Sequence, residues 1–386
     1  MKWEKSTLGE LIKSYGGKIQ TGPFGSQLHQ HDYKSEGIPV VMPKDIINDR
    51  IETGSIARIN DDDADRLRKH KLNIGDLVLP RRGDINKRAI CKPENEGWLC
   101  GTGCLKIRLN DEIVDPNYLY YYFTLSQVVK SILNKAIGST MLNLSGAILS
   151  STELVYPPLP TQRNIASILS AYDDLIENNM KRIKLLEEKA FLRYKQIVRE
   201  EKFQLKAFNK VADYINGYPF KPKDWKEEGL PIIKIKELKG GVQNNTPRND
   251  GENVPEKYLI ENKDILFAWS ASIGAYLWAS GKAILNQHIF NVKPFDKELH
   301  NWLYFSLLER IPDFINLSNG ATMQHIKKSA LGMVFLPIPP KKVCEEFQKE
   351  TEPILNLIVN LNQQNTKLRE ARDILLPKLM NGQIEV

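Results

Sequence analysis

The sequence predicts an α+β protein of two similar globular domains, each followed by a long helix that pairs with its counterpart. Three observations predict it. The chain repeats itself in collinear order, and each half ends in a segment of heptad periodicity. The globular parts mix short β-rich runs with helical stretches, and they lack both long strand–helix alternation and the GxGxxG turn of a doubly wound nucleotide fold. At 386 residues the chain also exceeds what one hydrophobic core usually supports.

The repeat divides the chain into a first domain at 1–160, a central helical spacer at 161–205, a second domain at 206–338 and a C-terminal helical spacer at 339–386. GIPVVMPKDI (37–46) reads like GLPIIKIKEL (229–238), and GDLVLP (75–80) like KDILFA (263–268). GSTMLNL (138–144) matches GATMQHI (320–326), and LVYPPLP (154–160) matches MVFLPIP (333–339). The matches stay in order while their offset shrinks steadily, as small deletions produce and chance does not. Within the domains, strands are expected at Ile38–Met42, Leu77–Leu79, Cys104–Leu109, Ile232–Ile235 and Ile289–Val292, and helices at Pro116–Asn134 and Lys297–Ile311.

Each domain ends in a proline-rich stop, Pro157-Pro158 or Pro339-Pro340, which reads as a helix boundary. Beyond the first, Ile165, Leu169, Tyr172, Ile176, Asn179, Ile183, Leu186, Ala190 and Tyr194 fall at spacings of four and three, a heptad seam. Beyond the second, Val343, Phe347, Glu350, Ile354, Leu357, Leu361, Gln364, Leu368, Ala371 and Leu375 do the same. One such helix alone is equally an amphipathic helix lying on its own domain. Two matching ones argue that they pair, with the polar seam residues Asn179, Glu350 and Gln364 setting register. A helix from Thr161 to Arg199 would run about 58 Å at 1.5 Å per residue.

Composition excludes several classes. No stretch approaches the roughly 18 consecutive apolar residues of a membrane span. The start MKWEKSTLGELIKS lacks an apolar signal core, and Cys91, Cys100, Cys104 and Cys344 form no framework, so a reducing cytoplasm is expected. No glycine-rich cofactor loop, no acidic–Pro–Pro–aromatic base-holding motif, no GxxxxGK[ST] and no GxSxG elbow occurs. His29-Gln30-His31-Asp32 lacks partners at zinc spacing, and Cys91, Cys100 and Cys104 match no zinc ribbon, so no metal is expected. Chemistry is therefore assigned to partner proteins rather than to this chain.

The net charge of +7 is mild, so binding to an acidic partner would need its cations on one face. Reading duplex DNA takes Lys and Arg for phosphates and Arg, Asn, Gln, Ser or His for base edges. In the first domain such groups occur in the small-residue loop 22–27, with Ser26 and Gln27, bracketed by Lys18, Gln20 and His29. Lys44 and the basic segment Arg81, Arg82, Lys87 and Arg88 add to them. In the second domain the comparable repeat positions hold Lys221, Lys223, Lys234, Lys236, Trp269, Ser270, Ser272, Asn286, Gln287 and His288. Each is equally a solvated loop residue when taken singly.

TGPFGSQL (21–28), GDLVLPRRG (75–83), GWLCGTGCLKIR (97–108), GSTMLNLS (138–145) and PPLPTQRNIASILSAYDDLIENN (157–179) together resemble the specificity (S) subunits of type I restriction–modification enzymes. KDILFAWSASIG (263–274), NQHIF (286–290), GATMQHIKK (320–328) and LLPKLMNGQIEV (375–386) extend the resemblance over nearly the whole chain. It implies two target-recognition domains, each reading one half of a bipartite DNA site, and an antiparallel coiled coil that acts as a ruler between them. It implies as partners double-stranded DNA, two modification subunits that bind S-adenosylmethionine and methylate adenine, and two restriction subunits that use ATP and Mg. The chain itself would bind no cofactor and catalyse nothing. Against the family pattern, the first helix opens Thr161-Gln162 without the usual acidic residue, and the second opens Pro340-Lys341-Lys342 without the Gln. The competing classes are a coiled-coil scaffold that binds protein only, which would lack the steep salt dependence of phosphate contacts, and the recognition subunit of a methyltransferase-only system.

Overall fold

Each repeat folds into a four-stranded sheet of its own, and the two sheets have the same strand order. In the computed structural model, which describes residues 3–47, 49–136, 143–243, 245–318 and 325–386, the chain divides into two compact units. One is Met1–Asp173 with Ala371–Val386, the other Asp174–Glu370.

In the first unit Gly17–Thr21, Cys104–Leu109, Leu77–Pro80 and Ala89–Ile90 form an antiparallel sheet in that order, with Ile107 opposite both Ile19 and Leu77. A second sheet places Ile38–Val41 between Ala57–Ile59 and Leu99–Cys100, and its pairing with Leu99–Cys100 is parallel. In the second unit Ala212–Asn216, Ile289–Pro294, Ile265–Ala268 and Gly274–Leu277 repeat the first order. Leu230–Ile233 again pairs in parallel with Ala283–Leu285 and antiparallel with Arg248–Asn249. Each unit is closed by a ribbon of its first and last strands, Glu4–Thr7 with Glu153–Tyr156 and Gln204–Ala207 with Phe335–Ile338. A buried aromatic anchors the last strand in both: Tyr118 donates its hydroxyl to the Val155 carbonyl (2.9 Å), and Trp302 donates Nε1–H to that of Pro337 (2.8 Å).

One predicted strand is cut short and one predicted helix is divided, each for a local reason. The strand expected to reach Ile235 stops at Ile233, because the Glu237 carboxylate accepts the Lys234 amide and opens the helix Ile235–Gly240. The helix expected over Pro116–Asn134 is two, Pro116–Tyr122 and Ser126–Ala136, with the Thr124 hydroxyl donating to the Tyr121 carbonyl between them. Gly75 turns with φ 84°, and at the corresponding turn Lys263 adopts φ 75°. The backbone bonds Gly75 to Cys91 and Lys263 to Trp278 identify the two turns as one feature.

The long helices run Leu159–Glu200 and Lys341–Met380. Within the second unit they pair antiparallel. Asn179 donates Nδ2–H to Asn365 Oδ1 (3.0 Å, both buried), and Arg193 bridges Glu350 (2.7 Å). Ala190, Tyr194, Cys344, Phe347, Leu355 and Ile358 also enter the core that holds Trp302 and Phe305, with Ile183, Leu186 and Ile354 at its margin. Within the first unit Ile165 and Leu169 share a core with Leu379 and Met380, Leu375 lies at its edge, and Arg372 bridges the Asp173 carboxylate. Of the remaining seam residues, Ile176 and Leu361 are buried and Tyr172 and Leu368 half-buried.

The second seam needs a correction. Leu357 is 36% exposed and Glu350 and Gln364 face solvent, whereas Thr351, Leu355, Ile358 and Asn365 are buried. Phe347 and Leu361 stay buried where the seam places them, so the buried stripe is wider than the seam and takes in the residue after Glu350, Ile354, Leu357 and Gln364, since this helix covers a globular core as well as another helix and a strict 3.5-residue repeat assumes one partner.

Candidate nucleic-acid interface

In the first unit three loops and the end of a fourth meet where the strand ends at Thr21, Pro80 and Cys104 lie side by side. Gly22 leaves the edge strand so close to the crossing chain that a Cβ there would lie 1.9 Å from the Gly101 carbonyl oxygen, and its amide donates to Cys104. The turn that follows closes on itself: Gln27 donates its amide to Phe24, and the Phe24 amide donates to Gln27 Oε1 (3.2 Å). The Thr102 hydroxyl donates to the Pro23 carbonyl (2.9 Å). Arg81 is held through its backbone, donating to Gly103 and accepting from Leu144, and its Cζ lies 5.6 Å from the centre of the Phe24 ring. Beneath the loop, His70 shares Nδ1 with the Thr21 carbonyl (2.8 Å), and burial, reinforced by Lys69, Lys106 and Lys18, lowers its pKa. Below that, Asp76 gathers Lys106 and Arg108 into a buried ion cluster, in which desolvation lowers the Lys106 pKa.

The second unit repeats the backbone bonds of this frame. A Cβ on Gly217 would meet the Asn286 carbonyl oxygen at 2.2 Å, and the Gly217 amide donates to Ile289 as Gly22 does to Cys104. Trp269 donates its amide to His288 and accepts from Ile326, as Arg81 does with Gly103 and Leu144. Ser270 bridges His325 where Arg82 bridges Asn143. The frame therefore equates Arg81 with Trp269, Gly83 (φ 79°) with Ala271 (φ 57°), and Gly101-Thr102-Gly103 with Asn286-Gln287-His288. Chemistry at these shared places differs. Trp269 donates Nε1–H to Asn216 Oδ1 (3.0 Å) and leans on His288 at 5.3 Å, and Gln287 Nε2 sits 3.2 Å from His288 Nε2.

The sequence candidates fall into three groups. Arg81, Gln27, Trp269, Gln287 and His288 lie in the frame itself, with Arg82 and Ser26 exposed beside it. Other candidates sit on neighbouring surface. Lys18 and Gln20 lie on the edge strand, His29 stacks on His31, and Lys44 donates to the Ser55 carbonyl. Lys87 is half-buried, and Lys221, Lys223 and Lys236 are exposed. Lys234 lies 4.4 Å over the Trp225 ring, and Ser272 accepts from Lys239. Three candidates are corrected. Arg88 is buried, its guanidinium spent on the carbonyls of Phe123 and Asn86 and on Asp49, while Ser270 and Asn286 are buried under crossing backbone. Thr102, Asn143 and Asn216 are frame residues that sequence reading passed over. Thr102 and Asn143 stand in runs already singled out, GTG and GSTMLNL, but their side-chain partners lie far away in sequence. Most of GSTMLNL and GATMQHI lies outside the described residues. Among the described residues no group of His, Cys, Asp or Glu is arranged to hold a metal ion, and no helix is long and apolar enough to cross a membrane.

Comparison with known proteins agrees with the duplication. The family model described as the type I restriction modification DNA specificity domain matches twice, over residues 1–188 and 200–371. The chain is 26% identical over 402 residues to the type I restriction enzyme MjaIX specificity subunit of Methanocaldococcus jannaschii, covering 92% of this chain and 88% of that one. The MjaVIII specificity subunit of the same organism is 22% identical over 424 residues, 100% of this chain and 93% of its own. In fold, the S subunit of a type I restriction–modification system from M. genitalium superposes with a TM-score of 0.54 at 16% identity, over 98% of this chain and 96% of that one.

Proposed function

Because the chain belongs to the type I restriction–modification DNA specificity family, matched once over each repeat, we infer that it is the DNA-recognition subunit of such a system and that each unit reads one half of a bipartite site. One observation carries the division of labour. The two units share a hydrogen-bonded frame at the same place in the same topology, yet present an arginine with a phenylalanine in one and a tryptophan, a histidine and amides in the other. A common scaffold with different polar groups suits two readers of different sequences, since base edges are distinguished by donor and acceptor pattern. Arg82 beside the first frame and the exposed Lys221, Lys223 and Lys236 of the second unit supply phosphate contacts, which hold register without specifying sequence.

The chain itself catalyses nothing in this reading and works in the cytoplasm. Two modification subunits bring S-adenosylmethionine and methylate adenine, and two restriction subunits bring ATP and Mg. The test is methylation mapping in a host that expresses the chain with its modification subunit. Two short motifs separated by an unread gap are expected. A single contiguous motif, or methyl transfer by this chain without a partner, overturns the reading. Retention of duplex DNA by the purified chain is expected to fall steeply with salt.

A further inference from the structure

We propose that Arg81 is a base-reading residue of the first unit, addressing the O6 and N7 edge of a guanine in its half-site. The proposal deepens the split-site reading and rests on it. Most arginines near the frame are already engaged: Arg88 with the Phe123 carbonyl, Arg66 with Asp63 and the Gln27 carbonyl, Arg58 with the Gly37 carbonyl, Arg108 with Asp76. Arg81 is engaged on one edge only. Its Nε–H donates to Asn143 Oδ1 (3.2 Å), its guanidinium rests on Phe24, and its backbone is bonded on both sides. Among the described residues, Nη1 and Nη2 have no protein partner.

Such an arrangement holds the stem of a flexible side chain and leaves the planar Nη1 and Nη2 pair of a half-buried guanidinium without a partner among the described residues. Two parallel bonds to guanine need that fork at a fixed angle, and an ordered side chain loses less entropy on binding. A phosphate asks only for charge, which Arg82, exposed on the next residue, supplies without being held. Phe24 is 54% exposed, so the ring supporting Arg81 lies at the surface where a duplex would approach. The second unit provides the contrast. Trp269 occupies the same place in the frame, and its one donor is spent on Asn216. Guanine dependence at this position therefore belongs to one half-site and not to the other.

The test uses the full chain with its modification subunit and a library of randomised duplexes, sequencing what is retained and what is methylated. Arg81→Lys keeps the charge and removes the fork. It is expected to lower discrimination at one G·C pair of one half-site by about 10- to 100-fold, with the other half-site unchanged and non-specific retention close to wild type. Arg81→Gln is expected to lose the guanine preference at the same pair, and the intact second half-site shows that either variant is folded. A motif that Arg81→Lys leaves unaltered, a first half-site without a G·C pair, or an even loss over all sequences with a shallower salt slope overturns the assignment. A wild-type chain that selects no two-part sequence overturns the split-site reading and the assignment with it.

Discussion

Replacing Gln162 with leucine measures how firmly the first long helix is fastened to its unit. Gln162 is fully buried at the helix start, where its Oε1 accepts the Asp115 amide (2.9 Å) and its Nε2 donates to the carbonyls of Ile113 (3.0 Å) and Pro157 (2.9 Å). Leucine fills similar space but leaves one backbone donor and two acceptors buried without that partner. At about 1 kcal/mol for each lost bond, and more where a group stays dry, the loss is about 3 kcal/mol. For a unit of this size that lowers the midpoint of thermal unfolding by about 6–12 °C. The second unit contains its own comparison. Cys344 takes the corresponding place, its amide bonded to Pro340 as that of Gln162 is to Pro158, and its thiol, pushed up to about 11 chiefly by burial, makes a single long contact to the Pro339 carbonyl (3.8 Å). Cys344→Ala is expected to cost about 1 kcal/mol, mostly lost packing. Scanning calorimetry of the full chain compares the two. A shift for Gln162→Leu no larger than that for Cys344→Ala refutes the account of the helix start.

The Asn179–Asn365 pair is expected to behave as one unit. Either Asn→Leu change alone leaves the other amide buried and unpaired, costing about 1–3 kcal/mol, while the double variant recovers at least about 1 kcal/mol of the sum in a urea-unfolding cycle; strict additivity would dismiss the pairing. Asp76→Asn removes the carboxylate that compensates fully buried Lys106 and neighbouring Arg108. It should destabilise the first unit by about 3–5 kcal/mol, with partial recovery on adding Lys106→Met, both read by thermal melts. Burial raises the pKa of Glu187 beside the Tyr304 hydroxyl. A carboxyl raised in the folded state favours the protonated form, so its contribution is intact below the ordinary carboxylate range and is lost as pH climbs through the raised value. Glu187→Gln should therefore match wild type at acid pH and exceed it at neutral pH, and a stability difference that does not vary with pH would count against this.

Much of the architecture is legible in the chain by itself. The collinear runs at 37–46 and 229–238, and at 75–80 and 263–268, become matching strands in matching sheets, because a strand's apolar run and its bounding turn residues are local properties. The heptads of both helices are equally local, and they place Ile165, Leu169, Ile176, Phe347 and Leu361 in buried positions. What only the tertiary structure decided is how residues distant in sequence meet. Arg81 gains its meaning from Phe24 and Asn143, and Arg88, seven residues on in the same basic run, loses any outward role to the Phe123 carbonyl. The burial of Thr351, Leu355 and Ile358 outside the heptad seam has the same origin, since a helix that packs on both a core and another helix buries a wider stripe than periodicity anticipates. Side-chain identity sets what each residue is able to bond, and sheet register together with the crossing of loops over it sets which partner it reaches.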